Sequence, residues 1–184
     1  MPYSLAERIL ITRVGGRVER CHTIPHPPGY TVAAHSWGVA MLMYLLWPED
    51  FPRLGAYCLV HDVPEGWLGD IPSPTLHALP GTRAELNALE NLFHMKLQLP
   101  APNDLSSADQ QKIKWCDRVE LYLWCKEQLA CGNGAVRDMH DRLLAHFCKT
   151  NLPPRIGLLF NYLENDLCPL GPQGVLEEVL ASKK

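Results

Sequence analysis

Apolar residues recur along this chain at three- and four-residue intervals, the spacing that lines side chains up on one stripe of an α-helix. Val32, Val39 and Leu42 form one such stripe, Leu54, Tyr57 and Cys58 a second, and Ile113, Leu121 and Trp124 a third. Three capping boxes mark helix starts: Ser4 with Glu7, Thr82 with Glu85, and Ser107 with Gln110. Together these signals predict helices near 5–14, 31–46, 51–62, 83–98, 107–131, 135–150, 154–165 and 174–182. The segments between them are rich in helix breakers. Residues 22–30 carry three prolines and a glycine, residues 63–80 carry four prolines and two glycines, and Cys131-Gly-Asn-Gly134 is a helix stop. No alternating apolar and polar run reaches strand length, and no repeat is visible. The expected fold class is all-α, a helical bundle forming a single domain over residues 1–184 with its core at about 14–165.

Composition narrows the function classes. Of 184 residues, 47% are hydrophobic and 20% charged, and the formal charge is −3, which gives no bulk attraction for a nucleic acid polymer. There is no apolar run of membrane-spanning length and no secretory signal pattern, so a cytoplasmic protein without a membrane partner is expected. Seven cysteines, at 21, 58, 116, 125, 131, 148 and 168, form an odd set with no Cys-x-x-Cys spacing, which predicts reduced thiols rather than a zinc–cysteine site.

Four polar residues interrupt the apolar stripes. His35 has Val32, Val39 and Leu42 at helical spacing, His61 follows the Leu54 stripe with Asp62 next to it, and Asp117 lies between Ile113 and Leu121. Buried imidazoles and carboxylates are costly unless paired or bound to a cation. Taken singly, His35 reads as a core histidine and Asp117 as the partner of Arg118 or Arg137. Taken together, two imidazoles and two carboxylates make a mixed nitrogen and oxygen site for one divalent metal, Co, Mn, Zn, Mg or Fe, with coordination positions left for chemistry. Such an ion lowers the pKa of water and polarises a phosphoryl oxygen, both of which phosphate-ester hydrolysis needs. The pair His140-Asp141 lies in a polar stretch, and a solvated helix face explains it.

The ordered pattern Arg-Cys-His-Thr at 20–23, Thr-Val-Ala-Ala-His-Ser-Trp-Gly-Val-Ala at 31–40, His-Asp-x-x-Glu at 61–65, Gly-Asp-Ile-Pro-Ser-Pro at 69–74 and Asp117 resembles the HD-domain metal-dependent phosphohydrolases. Within them it is most similar to the 5′-deoxynucleotidases and to the phage-type deoxynucleoside triphosphate hydrolases, including those acting on dATP. The resemblance runs from about Val14 to about Ala130. It implies His35, His61, Asp62 and Asp117 as metal ligands, Glu65 and Asp70 as catalytic acidic residues handling the attacking water, and Arg20 as the holder of substrate phosphate. It also implies a deoxynucleotide substrate, a homo-oligomer, and the cytoplasm, that of the host for a phage gene.

Cys21, His22, Thr23, Ile24, Trp37 and Trp67 are candidates to line the sugar and base pocket. This chain has Cys21 where the deoxynucleotidases have tryptophan, and Ala34 where glutamate is frequent. Two other functions fit parts of the pattern. A di-iron HD oxygenase would use additional histidines such as His77 and His94, and a non-catalytic helical module would keep the metal as a staple without needing Glu65, Asp70 or Arg20.

Overall fold

The computed structural model describes residues 3–165 and 179–182. The helices are α1 (Leu5–Gly15), α2 (Val32–Leu46), α3 (Phe51–Val60), α4 (Glu65–Leu68), α5 (Ser73–Ala78), α6 (Pro80–Leu97), α7 (Ser107–Ala130), α8 (Arg137–Lys149) and α9 (Pro154–Asn165), with 3-10 turns at Pro102–Asp104 and Gly134–Val136. The fold is all-α, and among the described residues the only sheet-like pairing is an isolated antiparallel bridge between Glu19 and Thr31. No described helix is long and apolar enough to cross a membrane.

Helix starts follow the capping chemistry in one of the three expected places, with a second displaced by one residue. Ser4 accepts from the Glu7 amide at 3.3 Å, and the Glu7 carboxylate accepts from the Ser4 amide at 2.7 Å. The cap of α7 is Ser106, one residue before the expected Ser107, accepting from the Asp109 amide at 3.2 Å. The Thr82 box does not start a helix: α6 already begins at Pro80, a residue preorganised for a first helical turn. The region 63–80, expected as a continuous loop, contains α4 and α5, since Pro64 precedes the first turn of α4 and Pro74 lies in the first turn of α5. The expected helix at 174–182 lies largely outside the described residues, of which 179–181 are helical.

Packing separates residues 1–145 from 146–184. In the first unit α2 packs on α3 and on α7. Val39, Leu42, Met43, Leu54, Cys58, Ile113 and Cys116 are all buried there. Removing several methylenes from such a position costs about 2–5 kcal/mol. A second apolar cluster joins Tyr30, Trp124, Cys125 and Val136 and anchors the loop after α1. In the second unit Phe147 and Phe160 meet at 5.2 Å between ring centroids. Cys58, Cys116 and Cys125 are buried free thiols, and burial pushes Cys58 and Cys125 up to about 12. Cys168 lies outside the described residues.

Candidate metal centre

His35 enters the core one turn after the start of α2, where Thr31 caps the helix by accepting from the Ala34 amide at 3.3 Å. Its imidazole is wholly buried. The α3 helix ends at His61, and the chain turns through Asp62, Val63 and Pro64 before α4 resumes at Glu65. His35, His61 and Asp62 each offer a ligand atom, all within 4.8 Å of one another. Asp62 Oδ2 lies 3.6 Å from His35 Nε2 and 3.3 Å from His61 Nε2. From α7, Asp117 Oδ1 approaches His35 Nε2 to 3.1 Å, with its side chain 40% exposed on the open side of the cluster.

The far ring nitrogens decide what the near ones can do. His61 Nδ1 is 2.8 Å from the Cys58 carbonyl, and His35 Nδ1 meets the Glu120 carboxylate. Carbonyls and carboxylates only accept, so each Nδ1 carries a proton and Nε2 is the ring nitrogen left to meet a cation or a second proton. Both Nε2 atoms are sealed from solvent and face carboxylates, His61 facing Asp62 at 3.3 Å and His35 facing Asp117 at 3.1 Å. Two orphaned imidazole nitrogens facing carboxylates form a donor set that fits a divalent cation. The electrostatics agree. Burial disfavours a charged His35 ring, but hydrogen bonds to Asp117 and Glu120 lift it to about 9. Burial likewise pushes Asp117 up, and its hydrogen bond to His35 outweighs this and brings it to about 2.

Arg20 reaches the cluster from the bridge between Glu19 and Thr31. Its amide donates to the Tyr30 carbonyl at 2.8 Å, while Val32 N–H donates to Val18 O at 2.8 Å. The guanidinium is buried, 2.5 Å from Asp62 Oδ2 and 3.4 Å from Glu65 Oε1. Burial and the neighbouring Asp62 charge raise Glu65 to about 9, against the pull of Arg20. Asp70 accepts from the Cys21 amide at 2.7 Å and lies 3.6 Å from His22 Nδ1. Cys21 stands at φ +55, a left-handed conformation that a side chain disfavours, and the Asp70 bond fastens it there. Glu65 is held in place by an uncommonly close approach: a Cβ on Gly15 would lie 2.4 Å from the Val63 carbonyl oxygen, and one on Gly66 2.9 Å from Gly15 Cα.

The six pocket candidates do not converge. Cys21 and Ile24 pack against the Tyr30 and Trp124 cluster, whereas His22 and Thr23 are exposed. Trp37 is exposed on the rim of a groove of about 460 Å³ between α2 and α7, lined also by Pro28, Met41, Trp124 and Glu127. Trp67 stacks on Phe93 at 5.4 Å. His140 and Asp141 bond to each other at 2.8 Å, and Arg118 lies over the Trp115 ring. His77 bonds to the Ser73 carbonyl at 2.8 Å. His94 is fully buried between the carbonyls of Pro100, at 2.5 Å, and His61, at 3.2 Å. Both ring nitrogens of His94 are thus taken up by carbonyls, whereas His77 bonds through Nδ1 alone.

Glu120 and Tyr30 were absent from the expectations. Tyr30 donates to Glu120 Oε2 at 2.7 Å, directly behind His35. One signal was available: Glu120 follows Asp117 by three residues, so both carboxylates share a face of α7.

Residues 17–114 match the model of the HD domain family. The 5′-deoxynucleotidase YfbR of Salmonella typhi is 28% identical over 134 residues, covering 61% of this chain and 67% of that protein. The dATP triphosphohydrolase of Salmonella phage PMBT28 is 31% identical over 140 residues, covering 67% of this chain and 68% of that protein. The crystal structure of the PH0347 protein from Pyrococcus horikoshii OT3 superposes with a TM-score of 0.65 at 20% identity, over 85% of this chain and 96% of that one, a likeness of fold.

Proposed function

The chain belongs to the HD domain family, and on that basis we propose that it is a metal-dependent hydrolase of 2′-deoxynucleoside 5′-phosphates. It removes phosphate from a deoxynucleoside monophosphate or the whole triphosphate from a dNTP, dATP included; the named activities of the two relatives support this substrate class. The observation that carries the reading is the contact of Arg20 with Asp62 and Glu65, which sets a planar anion-binding cation on the edge of the histidine and carboxylate cluster. A site that used its metal only as a staple has no need for that guanidinium or for Glu65.

His35, His61, Asp62 and Asp117 would hold one divalent ion. When bound, the ion supplies a Lewis acid for the phosphoryl oxygen and makes water more acidic. Arg20 turns its fork from Asp62 toward the incoming phosphate oxygens and holds the phosphorus in line for attack. Glu65, whose ionised form Arg20 favours at 3.4 Å, would accept the proton of the attacking water as the new P–O bond forms and return it to the 5′-oxygen as the ester P–O bond breaks. Asp70 fixes the Cys21 amide and so sets the loop that meets the sugar and base. The whole chain acts as one catalytic domain, as a homo-oligomer in the cytoplasm, or in that of the host for a phage gene.

The test is a panel of every dNMP, dNTP, NMP and NTP with Mg²⁺, Mn²⁺, Co²⁺ and Zn²⁺, products being separated as nucleoside plus phosphate or nucleoside plus triphosphate. Hydrolysis of deoxynucleotides is expected, and its absence in every combination would falsify the proposal. Two irons per purified chain without phosphate release would instead favour an oxygenase.

A further inference from the structure

His35 is gripped on both ring edges by one helix. Asp117 stands at Nε2 and Glu120, one turn further along α7, at Nδ1. Glu120 Oε2 also accepts from the Tyr30 hydroxyl at 2.7 Å. The Tyr30 ring is stacked on Trp124 at 4.3 Å and 11°, so that hydroxyl is fixed in direction. Gly38 clears the approach: a Cβ there would sit 2.6 Å from Glu120 Cγ. His61 differs, since its Nδ1 faces only the neutral carbonyl of Cys58.

We propose that Glu120 is a positioning residue for the metal, fixing His35 as the Nδ1–H tautomer and making its Nε2 the more basic of the two imidazole ligands, while Tyr30 aims the carboxylate and Gly38 gives it room. The inference rests on the metal-binding part of the proposed function, not on the substrate. A charged acceptor on Nδ1–H pushes electron density onto Nε2 and holds the ring plane, and a carbonyl does so less strongly. Glu120 meets His35 at Nδ1, the nitrogen remote from Asp62 and Asp117, so its removal acts through His35.

Zinc affinity measured by calorimetry on Glu120→Gln, Glu120→Ala, Gly38→Ala and Tyr30→Phe, with ¹⁵N imidazole spectra of the zinc-loaded proteins, tests this. Glu120→Ala should weaken zinc binding by about 10–100-fold. In its spectrum the His35 Nδ1 proton should lose its hydrogen-bonded downfield position while that of His61 stays. Glu120→Gln, which still accepts through its amide oxygen, and Gly38→Ala, which displaces the carboxylate without changing it, should fall between wild type and Glu120→Ala. Tyr30→Phe should weaken binding least. Should Glu120→Ala not fold, Glu120→Gln and Gly38→Ala decide. Zinc affinity within twofold of wild type in those variants, an unchanged His35 signal, or no zinc binding by the wild type overturns the inference. A wild type that binds zinc through His35 but hydrolyses no nucleotide sinks the hydrolase reading and leaves the role of Glu120 standing.

Discussion

Arg20 Nη1 lies 2.5 Å from Asp62 Oδ2, the oxygen that also faces His35 and His61, so one carboxylate serves the guanidinium and the candidate metal cluster together. Under the proposed function the charge that would hold the ion also keeps Arg20 at its edge, and substrate phosphate would compete for that guanidinium.

Asp62→Ala should therefore do two things at once. It removes a ligand and leaves a buried guanidinium with Glu65 alone. Hydrolysis should fall by at least about 100-fold. Wild type stripped with a chelator should melt lower and recover on adding Mn²⁺ or Co²⁺, by about 2.7 kcal/mol at a hundredfold excess over the dissociation constant. The variant should show no such metal-induced rise in differential scanning calorimetry. A rise equal to that of wild type would remove Asp62 from the ligand set.

Replacing Arg20 probes the phosphate clamp separately. Arg20→Ala should raise KM for nucleotides by about 10–100-fold, the worth of a charge-assisted hydrogen bond. Arg20→Lys keeps the charge but loses the two-pronged geometry and should fall between. Metal affinity should not weaken in either, since Asp62 loses a competitor. Steady-state kinetics beside metal titration distinguishes this from a folding defect, and an unchanged KM would exclude Arg20 from substrate binding.

The contact between Gly15 and Gly66 leaves no space for a methyl group, because the neighbouring atoms are backbone rather than flexible side chain. Gly66→Ala should destabilise the protein by about 1–3 kcal/mol and shift the turn that carries Glu65. The expected signature is a lower kcat with metal affinity retained. Retention of full kcat would show that Glu65 does not depend on this contact.

Far from the centre, Arg53 holds Asp109 through bonds of 2.5 and 2.8 Å, and Ser106 adds a third. The Arg53 hydrogen bonds, then that of Ser106, keep the Asp109 carboxyl below its ordinary range. A carboxyl lowered in the folded state stabilises above its unfolded value near pH 4 and loses that contribution as pH falls further. At pH 6, Asp109→Asn should melt below wild type, and the difference should narrow as pH drops below about 4. A difference in melting temperature that stays constant from pH 6 to pH 2 would contradict the assignment.

His35, His61 and Asp117 could be singled out because each interrupts an apolar helical stripe, with Asp62 next to His61, and the fold brings the four side chains together. The order of motifs added Arg20 and Glu65, which the bridge at Glu19 and the turn at Pro64 carry to the same place. Glu120 was not legible, because an acidic residue on a long charged helix ordinarily faces water. Only the approach of α2 at Gly38 turns it inward onto His35. The two short helices in 63–80 were hidden by their prolines, which read equally as loop residues and as first-turn residues. Trp37, two residues after His35 and so on another side of α2, lies on the groove that Glu120 and Trp124 also line.

The bridge between Glu19 and Thr31 works as a clasp. It pins Arg20 at one end of a loop and the start of α2, with His35 one turn beyond, at the other. Everything between, Cys21 through Gly29, hangs from that clasp, with Asp70 as its side tie. The loop is tied back to the clasp itself: His26 Nε2 lies 3.0 Å from the Arg20 carbonyl, and the Gly29 amide donates to Glu19 at 2.8 Å. Under the proposed function, then, a substitution in this loop that retunes nucleoside preference is felt at the Arg20 backbone, and selectivity and phosphate holding change together.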